Sequence, residues 1–299
     1  MKVILWGAVV LTLLAGCASE KPAGKTVVVT YGILGSVVKD LAGPDFDVQT
    51  LMPGGADVHE WAPSAKDIER LQHAALIVRN GLNLEEGMTK AIDQAASSGV
   101  PVFTASDYID VRVVKAGQGL PGDDPDQQVG AQDPHLWMDP LRMRAIATAL
   151  ADALKTRFGV DLSARADDLS RRLEALDAHV KAEVAVLPSD RRRLVTGHES
   201  LGYYAEAYGF TLVGAIIPGL TDQAEVSAAD MAALKTAIQT TKVPVIFTEL
   251  GTPPRVAQAL GRELDVKVVE ITTHTLPPDG SYFTFLTGLT DTIAGALKS

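Results

Sequence analysis

The sequence predicts an α/β fold of two lobes joined by one long helix. Three observations predict it. Short β-branched runs closed by Gly or small residues alternate with helical apolar spacing in both halves of the chain. One uninterrupted helical pattern, Ser163 to Leu187, separates those halves. The chain has 299 residues, more than a single hydrophobic core normally serves. The organisation expected is 1–17 as an export signal, 18–25 as a tether, 26–160 as the first lobe, 161–188 as the connecting helix and 189–299 as the second lobe.

The first segment stands outside the fold. Lys2 is a short positive region, and Val3 to Leu14 is apolar but shorter than the ~20 residues of a membrane span. Small residues then lead into Leu14-Ala15-Gly16-Cys17. This resembles a bacterial lipoprotein signal with its lipobox. The resemblance implies cleavage before Cys17, lipid on Cys17, and anchorage to a bacterial membrane on its periplasmic or cell-surface side. Cys17 is the only cysteine, so the exported chain has no internal disulfide to make. Small and polar residues from Ala18 to Lys25 read as the tether.

In the first half, KTVVVTYG from Lys25, DVQTLMPGG from Asp47, ALIVRNG from Ala75 and VPVFTA from Val100 are the strands. Ser64 to His73 and Glu86 to Ser98 are helices. Ser64, three residues before Asp67, resembles a capping box with Asp replacing Glu. Strands alternating with helices make a parallel sheet. Residues 115–134 are rich in Gly, Asp and Gln, and their composition is that of a mobile acidic loop. Asp139-Pro140 then opens a helix to Phe158.

Along Ser163 to Leu187, Leu169, Leu173, Leu176, Val180 and Val184 recur at three- and four-residue steps. Roughly 25 helical residues span ~37 Å, the length of a whole lobe, which suits a connector. Beyond it, RRLVTGH, FTLVGAII, VPVIFTE and VKVVEI are strands. Leu201 to Tyr208, Ser227 to Thr240, Pro253 to Leu264 and Phe283 to Leu297 are helices, with Pro253-Pro254 suited to a helix start.

The formal net charge is −10. Arg and Lys are scattered rather than striped, which argues against nucleic acid as a partner. The chain contains no HExxH helix or nucleophile elbow, and an enzyme is not expected. Four of the six histidines share one kind of place: His59, His135, His198 and His274 each follow a predicted strand or lie in a loop. Loops on an α/β scaffold present functional groups, and four neutral imidazoles would close a tetrahedral site for Zn²⁺. His73, at a helix end, and His179, on the charged face of the long helix, are read as ordinary surface residues.

At this point the residues resemble a known family, the solute-binding lipoproteins of zinc and manganese ABC importers. The likeness runs from about Lys25 to Ser299. VHEWAPSAKDIERL with NGLNLE is similar to that family's first metal-ligand block, DPHLWMDP to the second, and GHESLGYYAEAYGF to the third. VIFTELGTPPRVAQAL and TDTIAGAL resemble a later strand–helix unit and the last helix. The resemblance implies two Rossmann-like lobes joined by one rigid backbone helix, a metal in the cleft between them, and delivery of that metal to a membrane permease without covalent chemistry. A monomer is expected. The family's fourth ligand is normally Asp. Here His274 aligns with it, Asp279 is the fallback, and Glu249 at a strand end is a further acid.

Residue type then decides the ion. Imidazole suits Zn²⁺ and Mn²⁺ prefers oxygen, so one Zn²⁺ per chain is expected ahead of Mn²⁺. Four neutral imidazoles leave the full +2 charge, and Glu60, Glu199 and Glu249 are the candidates to compensate it from outside the ligand set. The alternatives are a manganese-binding member of the same family and, ranked below it, a zinc hydrolase with His274 outside the shell and Glu249 as base. A siderophore- or cobalamin-type cleft would want Arg and aromatics, and aromatics are only 5% of the chain. An adhesin role is compatible with the sequence.

Overall fold

The computed structural model describes residues 25–115, 128–221 and 224–298. Cys17, the tether up to residue 24 and residues 116–127 of the acidic loop lie outside them.

Two four-stranded parallel sheets form, as the alternation predicts. In the first, β1 (Thr26–Val29) lies between β2 (Asp47–Thr50) and β3 (Leu76–Arg79), and β4 (Val102–Thr104) closes the far edge. Val27 pairs with Val48 on one side and with Leu76 on the other. In the second, β5 (Arg193–Thr196) lies between β6 (Thr211–Ala215) and β7 (Val245–Thr248), with β8 (Lys267–Glu270) outermost. The two sheets therefore repeat one strand order, and each is buried by helices on its faces, as all-parallel sheets require.

The helices are α1 (Gly32–Ala42), α2 (Ala65–Gln72), α3 (Thr89–Ser97), α4 (Pro140–Phe158), α5 (Ser163–Ala185), α6 (Gly202–Tyr208), α7 (Ala228–Thr241), α8 (Pro254–Leu264) and α9 (Tyr282–Lys298). The capping box at Ser64 and Asp67 is present, and Ser227 with Asp230 forms a second one at α7. The helix α1 has no counterpart in the sequence reading. Gly32, Gly35 and paired valines weaken its helical pattern, and burial of Ile33, Leu34, Val37, Val38 and Leu41 stabilises it instead. Gly35 is required there, since a Cβ would stand 2.5 Å from Thr50 Oγ1.

Leu169, Leu173, Leu176, Val180 and Val184 of α5 are all buried. Burying each such side chain contributes about 1.5–3 kcal/mol. This seam packs against α4, α1 and α9, so one continuous core holds Val27 and Val78 of the first sheet together with Val245 and Phe247 of the second. The two lobes share one apolar core. At the end of the acidic loop, Gln132 bridges Val113, and Asp133 N–H donates to Arg112 O at 2.9 Å. That pairing delivers the chain into the His135 loop.

Candidate metal site

The parallel strands end at the line between the lobes, where α/β sheets present ligand-binding loops. His59 lies in the loop that follows β2, and His135 just before α4. His198 stands two residues after β5, and His274 lies in the loop after β8. Each lobe thus contributes two. His73 and His179 are exposed helix-surface residues away from this cluster.

The four side chains meet. One ring nitrogen from each lies within 4.8 Å of the other three. The six ring–ring separations run only from 5.1 to 5.6 Å. Six near-equal distances among four points describe a tetrahedron. His135 Nε2 and His198 Nε2 are 3.3 Å apart. A tetrahedral zinc with nitrogen arms of ~2.05 Å has edges of ~3.3 Å, so this pair already has the spacing of two ligands.

The rings are 0–5% exposed. Both nitrogens of His59 and Nε2 of His274 have no hydrogen-bond partner among the described residues. A buried polar group left so costs roughly 1–3 kcal/mol, and a cation at the centre of the tetrahedron would take His274 Nε2 and one nitrogen of His59. Burial pushes His59 and His274 well below the usual imidazole range, and the neighbouring imidazoles push the same way. His135 is lowered by burial against the opposing pull of Asp133. Neutral rings keep the lone pairs that a metal needs.

Acceptors fix how these rings turn. Asp133 Oδ1 accepts from His135 Nδ1 at 2.8 Å and from His135 N–H at 2.9 Å. Asp133 Oδ2 accepts from Arg112 Nη1 at 2.8 Å. Glu249 Oε1 accepts from His198 N–H at 3.0 Å and lies 3.3 Å from His198 Nδ1. With Nδ1 turned toward a carboxylate, Nε2 of both rings faces the centre. Burial would raise the Glu249 carboxyl, but the adjacent His198 and His274 and the Thr273 hydroxyl favour its ionised form and hold it below its ordinary value. Trp137 is fully buried against the His135 and His274 rings, and its Nε1–H donates to Thr273 O at 2.9 Å.

Of the acids singled out in the sequence, Glu249 is the one hydrogen-bonded to a site residue. Glu60 is exposed and lines a surface pocket with His59, Glu86 and Gly87. Glu199 is buried, and burial together with Asp133 raises its carboxyl. Asp279 is exposed, with its carboxylate taken by Ser281 N–H at 3.0 Å and Thr284 Oγ1 at 2.7 Å. Three partners went unread: Asp133, Arg112 and Thr273. An Asp two residues before a His across a Pro was the available signal for the first.

Comparison with known proteins gives the same direction. The family model described as zinc-uptake complex component A, periplasmic, matches residues 27–296. The zinc-binding protein TroA of Treponema pallidum is 32% identical over 287 residues, covering 91% of this chain and 88% of that protein. The manganese ABC transporter substrate-binding lipoprotein PsaA of Streptococcus anginosus is 26% identical, covering 95% and 94%. The solved structure of periplasmic zinc-binding TroA superposes with a TM-score of 0.78 at 29% identity, over 91% of this chain and 99% of that one. A Mn-bound periplasmic metal-binding protein from Candidatus Liberibacter asiaticus superposes at 0.80, with 22% identity, and shares the fold. Two lobes of one strand order, a shared core and a family match across nearly the whole chain lead to one conclusion: the chain belongs to the family of the periplasmic zinc-uptake component A.

Proposed function

We propose that this protein captures one Zn²⁺ per chain outside the cytoplasmic membrane and hands it to the permease of an ABC importer. His59, His135, His198 and His274 are the ligands in this reading. The near-regular tetrahedron of the four rings supports it most directly. The chain is a solute receptor and not an enzyme, as its family and the names of its relatives indicate. A hydrolytic zinc needs an open position for water, and His274 stands inside the tetrahedron rather than apart from it.

Zinc is favoured over manganese by the donors. Four imidazole nitrogens suit Zn²⁺, whereas Mn²⁺ prefers oxygens, and Asp133 and Glu249 turn their oxygens to ligand N–H groups. Lipidation of Cys17 and a monomeric state complete the reading, and several relatives are described as lipoproteins.

The test is a titration of the metal-stripped chain lacking residues 1–17. Stoichiometric Zn²⁺ uptake with weaker Mn²⁺ uptake is expected. Stoichiometric zinc binding that survives His59→Ala combined with His135→Ala would overturn the site.

A further inference from the structure

Glu249 stands out among the buried charges. Asp133, its counterpart on the His135 side, is matched by Arg112 at 2.8 Å. The groups on Glu249 are of another kind: Ser200 Oγ donates to Oε2 at 2.7 Å, the Thr273 hydroxyl donates to Oε2, and His198 N–H donates to Oε1. The residue is 5% exposed and its side chain, carboxylate included, is fully enclosed. Enclosing an ionised carboxylate among neutral donors is costly unless a cation completes the arrangement.

Thr273 extends its reach. Because the threonine hydroxyl donates to Glu249, its oxygen is left to accept, and His274 Nδ1 lies 2.8 Å away. The proton of His274 therefore sits on Nδ1, and Nε2, which has no partner among the described residues, carries the lone pair. One carboxylate thus orients two imidazoles, His198 directly and His274 through a hydroxyl.

We infer that Glu249, relayed by Thr273, is the charge-matching and positioning residue of this site: it supplies from outside the ligand set the negative charge that four imidazoles lack, and so sets the preference for a dication. This rests on the reading of the four histidines as ligands.

The experiment compares Zn²⁺ with Cu⁺, two ions that imidazole can ligate and that differ in charge. The full-length chain in detergent, without oxygen, is titrated against a competing chelator. Removing one negative charge weakens a +2 ion twice as much, on a logarithmic scale, as a +1 ion. For E249Q the expected loss is about 10–100-fold for Zn²⁺ and about 3–10-fold for Cu⁺. Both ions are read in one variant, so a general loosening of the fold lowers them together. T273V should lose about 10-fold for Zn²⁺, with a shifted visible spectrum in the Co²⁺ form, while T273S keeps the hydroxyl and stays near wild type. Equal losses for the two ions in E249Q, or T273V binding as tightly as T273S, would overturn the inference while wild-type zinc binding left the site itself standing. A wild-type chain that takes up neither ion would overturn both.

Discussion

In the proposed site, His274 gives the chemical character, because it makes the candidate ligand set all nitrogen. Putting a carboxylate there adds one oxygen donor and one negative charge, both of which favour Mn²⁺ relative to imidazole. His274→Asp should therefore narrow the zinc-over-manganese preference by at least about tenfold, measured by competition between the two ions on the stripped protein. Residues beside the ligands matter through space as well as charge. A Cβ on Gly202 would stand 2.1 Å from Asp133 Oδ2 and 2.4 Å from Arg112 Nη1. Those two groups form the buried ion pair that holds the His135 ring. Gly202→Ala should cost about 1–3 kcal/mol of stability and should weaken zinc binding with it. A denaturant midpoint unchanged from wild type would show that the pair can shift freely.

At the scale of elements, α5 buries one apolar seam in the core that both lobes share. Leu173 sits at its centre, fully buried in the shared core. Leu173→Ala should destabilise by about 2–5 kcal/mol, read as a lower midpoint in a single transition, since the core it opens runs through both lobes. The helix was legible because its apolar period is long and no Gly or Pro interrupts it. The strands were legible for the complementary reason, short β-branched runs with small residues at their ends. The helix α1 was not: Ile33, Leu34, Val37, Val38 and Leu41 keep a helical period, but Gly32, Gly35 and two adjacent valines lower the helical propensity that would have marked it, and burial supplies the stability instead. The same division applies to the site. The four histidines could be placed by their position after strands and by family likeness. Their partners could not: Glu60, Glu199 and Glu249 look alike as letters, and only the packing makes one exposed, one repelled by Asp133 and one hydrogen-bonded to the site.

At the scale of the whole molecule, the histidines proposed to hold metal also bind protons, so stability should depend on pH in a definite direction. His59, His135 and His274 are all lowered in the folded chain, chiefly by burial, while an unfolded histidine titrates near ~6.5. Above that pH neither state carries these protons and stability is unaffected by them. Below it the unfolded chain takes up protons that the folded chain refuses. Stability is therefore lost as pH falls through the unfolded value, by up to about 1.4 kcal/mol per pH unit for each histidine. Glu199, raised by burial, works in the opposite sense, and its contribution cancels when variants are compared. Zinc at a hundredfold excess over its Kd should add about 2.7 kcal/mol at neutral pH. The measurement is thermal unfolding of the metal-free protein between pH 8 and pH 5, beside a His59→Gln, His274→Gln double variant. A plateau above about pH 7 and a falling Tm below about pH 6 are expected for the wild type, with a visibly shallower fall in the variant. A wild-type Tm that stays level to pH 5, or falls in parallel with the variant, would mean that the buried imidazoles do not resist protonation in the fold.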